Sequence, residues 1–331
     1  MDNTAETERT FDVVVVGGGA AGLSGALTLA RARRSVLVLD SGSPRNAPAA
    51  HLHGYLGRDG ASPAELLAVG WSEVSAYGGV IRSGAAGTAV AADRAAEGGF
   101  LVRCGDGSVV RAGRLLLATG LVDELPELPG LRARWGRDVL HCPYCHGWEV
   151  RDRPLAVLAT GPLAVHQAQT WRNWSDRVTL LAHSWRPGAE DRELLTALGV
   201  PVVEGEVTGL TVDGDELVGV ALSDGGSMAC RALVVAPRLT ARAGVAASLG
   251  LPVAAVERDG VVVGSCLEAD PATGATALRG VWAAGNLTSP LDQLAAAAAA
   301  GVRAAMTVNA DLIEEEARSA LEAYRGGRGR A

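Results

Sequence analysis

The sequence predicts an α/β protein of two Rossmann-like, three-layer nucleotide-binding units, the second inserted into the first. Three observations carry this. An apolar run, Phe11–Val16, leads straight into Gly17-Gly18-Gly19-Ala20-Ala21-Gly22, then a helix and a second apolar strand ending at Asp40. A second strand–turn–helix–strand series begins at Arg153. A late strand, Gly280-Val281-Trp282-Ala283-Ala284, closes on Gly285-Asn286 and reads as a return to the first unit. The expected boundaries are residues 1–121 for the first part of unit one, 122–239 for the inserted unit and 240–331 for the return.

Composition fits. The 331 residues suffice for two domains, and 48% are hydrophobic, enough for a sizeable core. The 43 glycines and few aromatics suit many tight strand–helix turns. The net charge is −7 and every basic residue is a scattered arginine, which excludes a nucleic-acid groove and an electrostatic membrane anchor. Met1–Thr10 is polar and acidic, without the basic start and apolar run of a secretory signal. The longest membrane-like stretch, Leu294–Ala300, is short and soon followed by Arg303. The expected compartment is the cytoplasm, where structural disulfides are rare and a C-x-x-C is more often catalytic.

Phe11–Val16 is a continuous apolar run, as a central parallel strand requires. Gly17, Gly19 and Gly22 form G-x-G-x-x-G, with Ala20 and Ala21 inside the turn. The glycines allow the tight turn and let backbone N–H groups approach a pyrophosphate at a helix N-terminus. A helix over Leu23–Arg33 and a strand over Ser35–Leu39 follow. Asp40 then falls where a carboxylate accepts from adenosine ribose hydroxyls. After a loop rich in Pro, Gly and His, a helix is expected over Pro63–Tyr77. Strand-like pieces at Gly79–Ile81, Ala85–Ala91, Phe100–Cys104 and Ser108–Arg111 read as an antiparallel excursion. Leu115-Leu116-Leu117-Ala118-Thr119-Gly120 reads as a separate buried strand, and the Pro-rich, acidic Leu121–Leu131 as a crossover.

In the inserted unit, Leu155–Leu158 is a strand, Ala159-Thr160-Gly161-Pro162-Leu163-Ala164 its turn, and a helix runs to about Trp174. Val178–Leu181, a helix over Asp191–Leu198, Val202–Val203, a hairpin through Asp213-Gly214-Asp215 and Leu233–Ala236 complete it. The return ends in a long helix from about Leu291 to Ala310, a terminal helix over Glu314–Tyr324 and a frayed tail, Gly326–Ala331.

The chemistry centres on His141-Cys142-Pro143-Tyr144-Cys145-His146-Gly147. A Cys-x-x-Cys pair can close and reopen a small disulfide, and the thiolate is its reactive form. Three readings compete: a redox disulfide beside a flavin, a C-x-x-C-H haem site, and half of a zinc site. Haem attachment requires export. Zinc requires two more ligands, and neither a second C-x-x-C nor an H-x-x-x-H is present. The redox disulfide is preferred and no metal is expected. Cys104, Cys230 and Cys266 are isolated and read as inert; Trp171, Trp174 and Trp185 read as core or interface residues.

At this point the chain resembles the thioredoxin reductase superfamily. Gly17-x-Gly19-x-x-Gly22, Ala118-Thr119-Gly120, the C-x-x-C and Gly280–Asn286 occur in that order over nearly the whole chain. The resemblance implies bound FAD, a homodimer, and a ribityl contact at Asn286, where the family usually has Asp. It also places Gln293 and Leu294 at a helix N-terminus facing the flavin, where negative charge on reduced flavin is stabilised. Asn46 and His51 lie in the loop that runs beside the flavin in this superfamily; solvated histidines are the plainer reading for His51 and His53.

Two departures point away from a reductase. The second turn keeps only Gly161, followed by Pro162, and the basic pair for an NADPH phosphate is replaced by His183-Ser184-Trp185, with Arg186 the nearby cation. His146 stands where those reductases carry Asp. Cys-Pro-Tyr-Cys-His-Gly is similar to the flavin-dependent dithiol oxidases of the gliotoxin and holomycin type, which close a disulfide in a small molecule and use O2. The implied cycle starts from FAD and a Cys142–Cys145 disulfide. A small-molecule dithiol, deprotonated by His146 or His141, attacks Cys142 and leaves as the cyclic disulfide. Cys145, nearer the flavin by family analogy, passes on the electrons, and O2 becomes H2O2. The rivals are an NAD(P)H-dependent disulfide reductase and a non-enzymatic redox sensor.

Overall fold

The computed structural model describes residues 10–328. The first nine residues, where the absence of a signal was read, and the last three of the expected tail lie outside the described residues.

The first element is β1 (Thr10–Val16), whose Val13, Val14 and Val15 are fully buried. A strand covered on both faces has no polar side to show, hence the unbroken valine run. It leads into α1 (Ala20–Arg31) and β2 (Val36–Asp40). Next come α2 (Pro63–Ala76) and β3 (Val80–Ser83). Ser62 caps α2 by accepting from the Glu65 N–H at 3.1 Å, and Pro63 takes its first position, where no N–H is needed. β4 (Ala89–Arg94), β5 (Phe100–Cys104) and β6 (Val109–Leu117) form the antiparallel excursion. Residues expected to open β4 earlier form a 3₁₀ turn at Gly84–Gly87.

β6 corrects the sequence reading. The pieces expected at 108–111 and 115–120 are one strand, Val109–Leu117, with Ala118–Gly120 beyond its end. Its start pairs antiparallel with β5, Phe100 opposite Ala112. Its end pairs parallel with β1 and with the late strand Val281–Ala283, Leu116 opposite Trp282. The partner on that edge changes at Gly113-Arg114, which looks like a break in the sequence.

β7 (Leu121–Glu124) leaves this sheet; α3 (Leu131–Arg134), β8 (Val139–Leu140) and α4 (Pro143–His146) follow. β9 (Leu155–Ala159), α5 (Leu163–Trp171), β10 (Val178–Ala182), α6 (Ala189–Ala197) and β11 (Val202–Glu204) make the second βαβ series. α5 stops at Trp171, one turn short of expectation. The antiparallel β12 (Val207–Asp213), β13 (Glu216–Leu222) and β14 (Ser227–Ala229) cover one side, and β15 (Ala232–Val234) completes a parallel sheet ordered β11-β10-β9-β15-β8. β16 (Arg238–Ala241) then pairs antiparallel with β7, so the chain's exit and return run side by side.

α7 (Gly244–Ser248), β17 (Val253–Arg258), β18 (Val261–Leu267) and β19 (Val281–Ala283) lead to α8 (Leu294–Arg328). α8 is one helix of 35 residues, not a helix, a break and a second helix. Ala310-Asp311-Leu312-Ile313 contains neither Gly nor Pro, so nothing stops the first helix. Arg114 holds its far half through Asp311 at 2.5 Å and through Glu315. No helix among the described residues is long and apolar enough to cross a membrane.

α1 and α8 cross at two glycines. A Cβ on Gly301 would lie 1.9 Å from the Ala21 carbonyl oxygen, and one on Gly25 would lie 2.6 Å from Leu116 Cδ2. The Gly301 contact is with backbone, which cannot swing away. Gly301→Ala is therefore expected to cost about 3 kcal/mol, the upper end for overpacking. Urea unfolding tests this; a loss under about 0.5 kcal/mol would show that the helices can part.

Candidate functional site

Cys142 is the N-cap of the one-turn α4, Pro143 takes its first position, and Gly147 follows its end. The Cys145 N–H donates to the Cys142 carbonyl at 3.2 Å and the Gly147 N–H to that of Pro143 at 2.7 Å. The turn brings the two Cα atoms to 5.3 Å and the sulfurs are bonded. Gly147 is required: a Cβ there would meet the Pro143 carbonyl at 2.5 Å and the Trp174 ring at 2.7 Å. Both cysteines are half-buried, while Tyr144 between them is exposed and packs edge-on against Trp174, 5.5 Å between centroids.

The disulfide opens into a cavity of about 970 Å³ that also reaches the first glycine turn. That size is at the upper end of ligand cavities. At the far end, Gly17 (φ +109°) lets β1 pass the Ala118 carbonyl, 2.3 Å from where a Cβ would stand. The Gly17 N–H donates to the Leu39 carbonyl at 2.7 Å. Gly22 abuts the Gly17 carbonyl in the same way. Gly19 differs: a Cβ there would meet nothing within 4 Å, and as N-cap of α1 it offers no side-chain cap. The N–H end of α1, with Ala20 and Ala21, thus faces open cavity. Asp40, buried at the end of β2, lies against Gly18 and lines the same space.

The cavity wall gathers almost every other residue singled out from the sequence: Ala118, Thr119, Gly120, Asn46, His51, Asn286, Gln293, Leu294, His141 and His146. Gly285 and Gly22 do not line it. Gly285 supports it from behind at φ +72°, close to Ala21. Thr119 Oγ1 donates to the Arg242 carbonyl at 2.7 Å, tying that loop to the return. Gln293 caps α8 through its carbonyl, which accepts from the Ala297 N–H at 2.9 Å, and its side-chain amide approaches Cys142 Sγ at 4.0 Å. His51 is exposed and its Nδ1 lies 3.0 Å from the Gly60 carbonyl; Asn46 lines the cavity without a side-chain hydrogen bond to the described residues.

Asn286 is committed to structure. Its Nδ2 donates to the carbonyls of Ser289 at 3.0 Å and Asp292 at 2.8 Å, and more weakly to Pro290, folding the loop that launches α8. Its Oδ1 accepts from Arg45 at 3.2 Å. An aspartate could not donate there, which is a physical reason for an amide at this position. Arg45 was not singled out from the sequence. It grips the buried Asp123 of β7 with two hydrogen bonds, 2.7 and 2.8 Å, and so joins three distant segments at the cavity. Nothing in the local sequence distinguishes it from Arg33 or Arg58.

Two histidines flank the disulfide helix. His141 donates from Nδ1 to the Val235 carbonyl at 3.3 Å, which leaves Nε2 with its lone pair. The His146 ring has no hydrogen bond among the described residues. Burial pushes both below the usual imidazole value, with Glu149 opposing the shift at His146. Both are neutral at pH 7 and can accept a thiol proton. His53, read as solvated from the sequence, is instead half-buried and lines the cavity between Asp59 and Glu149, 3.4 Å from each. Of the remaining cysteines, burial raises the thiol of Cys230 to about 12 and those of Cys104 and Cys266 upward, which keeps them unreactive.

The second nucleotide turn has a different character. α5 starts after Pro162 without a side-chain cap. A separate cavity of about 420 Å³ beside it is lined by Glu124, Glu127, Thr160, His183, Ser184 and Arg238 among others. His183 Nδ1 accepts from the Val207 N–H at 3.0 Å. Arg186 faces Glu204 at 3.7 Å, and Arg238 lies 4.0 Å from Glu124.

Comparison with known proteins agrees with this geometry. The family model described as pyridine nucleotide-disulphide oxidoreductase matches residues 11–302. The chain is 31% identical to thioredoxin reductase sirT of Leptosphaeria maculans over 90% of its own length and 93% of the relative's. It is 36% identical to thioredoxin reductase tcpT of Claviceps purpurea over 58% of its own length, spanning only 61% of that relative. Among solved structures, HlmI superposes with a TM-score of 0.88 at 43% identity, covering 97% of this chain and 98% of HlmI. An oxidoreductase from Agrobacterium tumefaciens gives 0.83 at 35%, over 92% and 99%. The chain belongs to the pyridine nucleotide-disulphide oxidoreductase family and is a redox-active disulfide enzyme acting on sulfur groups.

Proposed function

We propose that the protein is an FAD-dependent oxidase that converts a small-molecule dithiol into its intramolecular disulfide, with O2 as terminal acceptor. The observation that carries this reading is the contrast between the two nucleotide turns. The first presents an uncapped helix end, an open Gly19 cradle and a buried Asp40 to a cavity that is continuous with the disulfide. These residues fit FAD: the α1 N–H groups and Gly19 would hold the pyrophosphate, and Asp40 the ribose hydroxyls. The cavity beside the second turn is lined by Glu124 and Glu127, and its arginine, Arg238, lies 4.0 Å from Glu124. A nicotinamide dinucleotide phosphate would meet like charge there.

Bound FAD would accept the electron pair collected by the cysteines and pass it to O2, giving H2O2. The chain's own residues do the rest. A neutral His146 takes a proton from one substrate thiol, and that thiolate attacks one sulfur of the Cys142–Cys145 bond. The second substrate thiol displaces the first enzyme sulfur, so the substrate leaves oxidised and the enzyme pair is left reduced. The balance is one dithiol and one O2 to one cyclic disulfide and one H2O2. A role in making, or protecting against, a disulfide natural product fits such a reaction.

We expect a homodimer in the cytoplasm; Met306 and Ile313 on α8 are exposed apolar residues seven apart that a second copy could cover. O2 uptake with dithiothreitol tests the oxidase reading: one H2O2 should form per dithiol, at a rate unchanged by NADPH. A rate that requires NADPH would instead favour the disulfide reductase.

A further inference from the structure

The order β2-β1-β6 in the first sheet sets three strand ends side by side, with the Gly17–Gly19 turn in the middle. Val16, the last residue of β1, stands opposite Leu39 on one side and Leu117 on the other. Arg242 bridges the two outer ends. Its backbone N–H donates to the Gly120 carbonyl at 2.9 Å, and its own carbonyl accepts from Thr119 Oγ1 at 2.7 Å, both just past β6. Its Nη1 donates to the Ser43 carbonyl at 3.2 Å, just past β2. The side chain therefore crosses the end of β1 at the glycine turn. Arg242, Ser43, Gly120 and Gly17–Gly19 all line the large cavity.

Three arginines line this cavity, and two of them are committed. Arg45 is held by Asp123. Arg258 donates to His166 Nε2 at 3.0 Å and has Asp259 at 3.9 Å. Arg242 is half-buried and forms no ion pair among the described residues. Its N–H groups other than the one on Ser43 have no partner there. A guanidinium drawn out of water is normally paired with an anion. The same end of the cavity also holds the carboxyl of Asp40, buried against Gly18. A diphosphate set at this turn thus needs a full cation as well as the partial charge of the α1 N-terminus.

We propose that Arg242 is a cofactor-binding residue, a clamp that donates to the pyrophosphate of bound FAD. The clamp rests on the FAD part of the dithiol oxidase reading and adds to it the group that neutralises the dinucleotide. Nη1 keeps the Ser43 carbonyl, while Nε and Nη2 remain for two parallel N–H bonds to one phosphate. Arg242 lies one residue past β16, on which the chain returns from the inserted unit, so the clamp also joins the cofactor to that crossover.

Release of FAD from the diluted holoenzyme, read by its fluorescence, gives Kd for FAD. Displacement by ADP and by riboflavin separates the halves of the ligand, since ADP carries the diphosphate and riboflavin carries no phosphate. Arg242→Gln is expected to raise Kd for FAD and for ADP about 10- to 100-fold, the scale of a hydrogen bond to a charged group, and to leave Kd for riboflavin within about twofold. Arg242→Lys keeps a point charge and should rank between wild type and Arg242→Gln for both phosphate ligands. A rise in Kd for FAD of less than about threefold in Arg242→Gln overturns the proposal, as does an equal rise for riboflavin, the mark of a loop that has merely collapsed. If the purified wild-type chain takes up no FAD at all, the flavin reading itself fails and the clamp falls with it.

Discussion

Serine in place of Cys145 is expected to lower dithiol turnover at least ~10³-fold, the scale on which enzymes lose rate when a nucleophile is removed. The reason lies in the turn. α4 exists to hold two sulfurs across one helical turn, Cys142 at its cap and Cys145 inside it. With one sulfur gone there is no enzyme disulfide for a substrate thiolate to attack, so no electron pair is collected. Cys104, Cys230 and Cys266 cannot substitute, since burial holds their thiols protonated at neutral pH. O2 uptake reads the rate, and intact-protein mass spectrometry of the variant with the reduced dithiol under anaerobic conditions should find no substrate adduct on Cys142. Retention of more than about a tenth of the wild-type rate would remove the disulfide from the reaction.

Replacing His146 with Asn should lower kcat/KM by ~10²–10⁴-fold, the usual contribution of a positioned base. The pH profile separates this from a structural effect. The active base is the neutral ring. Burial holds His146 below the usual value of 6.5, so the ring is neutral at pH 7 and still largely neutral at pH 6.5. Activity should therefore rise with pH through that lowered value, giving an acid limb below pH 6.5. The limb should vanish in His146→Asn. His141 is also shifted down by burial and keeps Nε2 free through its Nδ1 bond to the Val235 carbonyl, so its substitution is the control. His141→Asn should cost less than about 10-fold and keep the limb. The reverse pattern would make His141 the base.

What was legible in the sequence was whatever chemistry forces into neighbouring positions. The Gly17–Gly22 turn could be read because backbone must pass backbone there, and only glycine permits 2.3 Å from a Cβ position to the Ala118 oxygen. The disulfide was legible because its geometry needs one helical turn. The degenerate second turn was legible for the same reason: Pro162 and the missing glycines are local. The long-range contacts were not. Arg45 and Asp123 meet each other and Asn286 only after the chain has folded, and nothing local marks Arg45 rather than its neighbour Asn46. β6 was split in two because a strand that changes partner midway changes its pattern with it. α8 was read as two helices, one to about Ala310 and one from Glu314, although residues with good helix propensity continue through 311–313 and Arg114 anchors the far half.

In the proposed reaction electrons enter from a dithiol and not from a nicotinamide. Its most direct test is an anaerobic titration of the purified, flavin-loaded protein followed by flavin absorbance. One sample receives NADPH and then NADH, the other a small dithiol. Prompt bleaching by the dithiol is expected, none by either nicotinamide, and recovery of colour with H2O2 when air is admitted. Prompt bleaching by NADPH or NADH would contradict it, showing that the acidic second cavity binds the dinucleotide after all and that the protein works as a reductase.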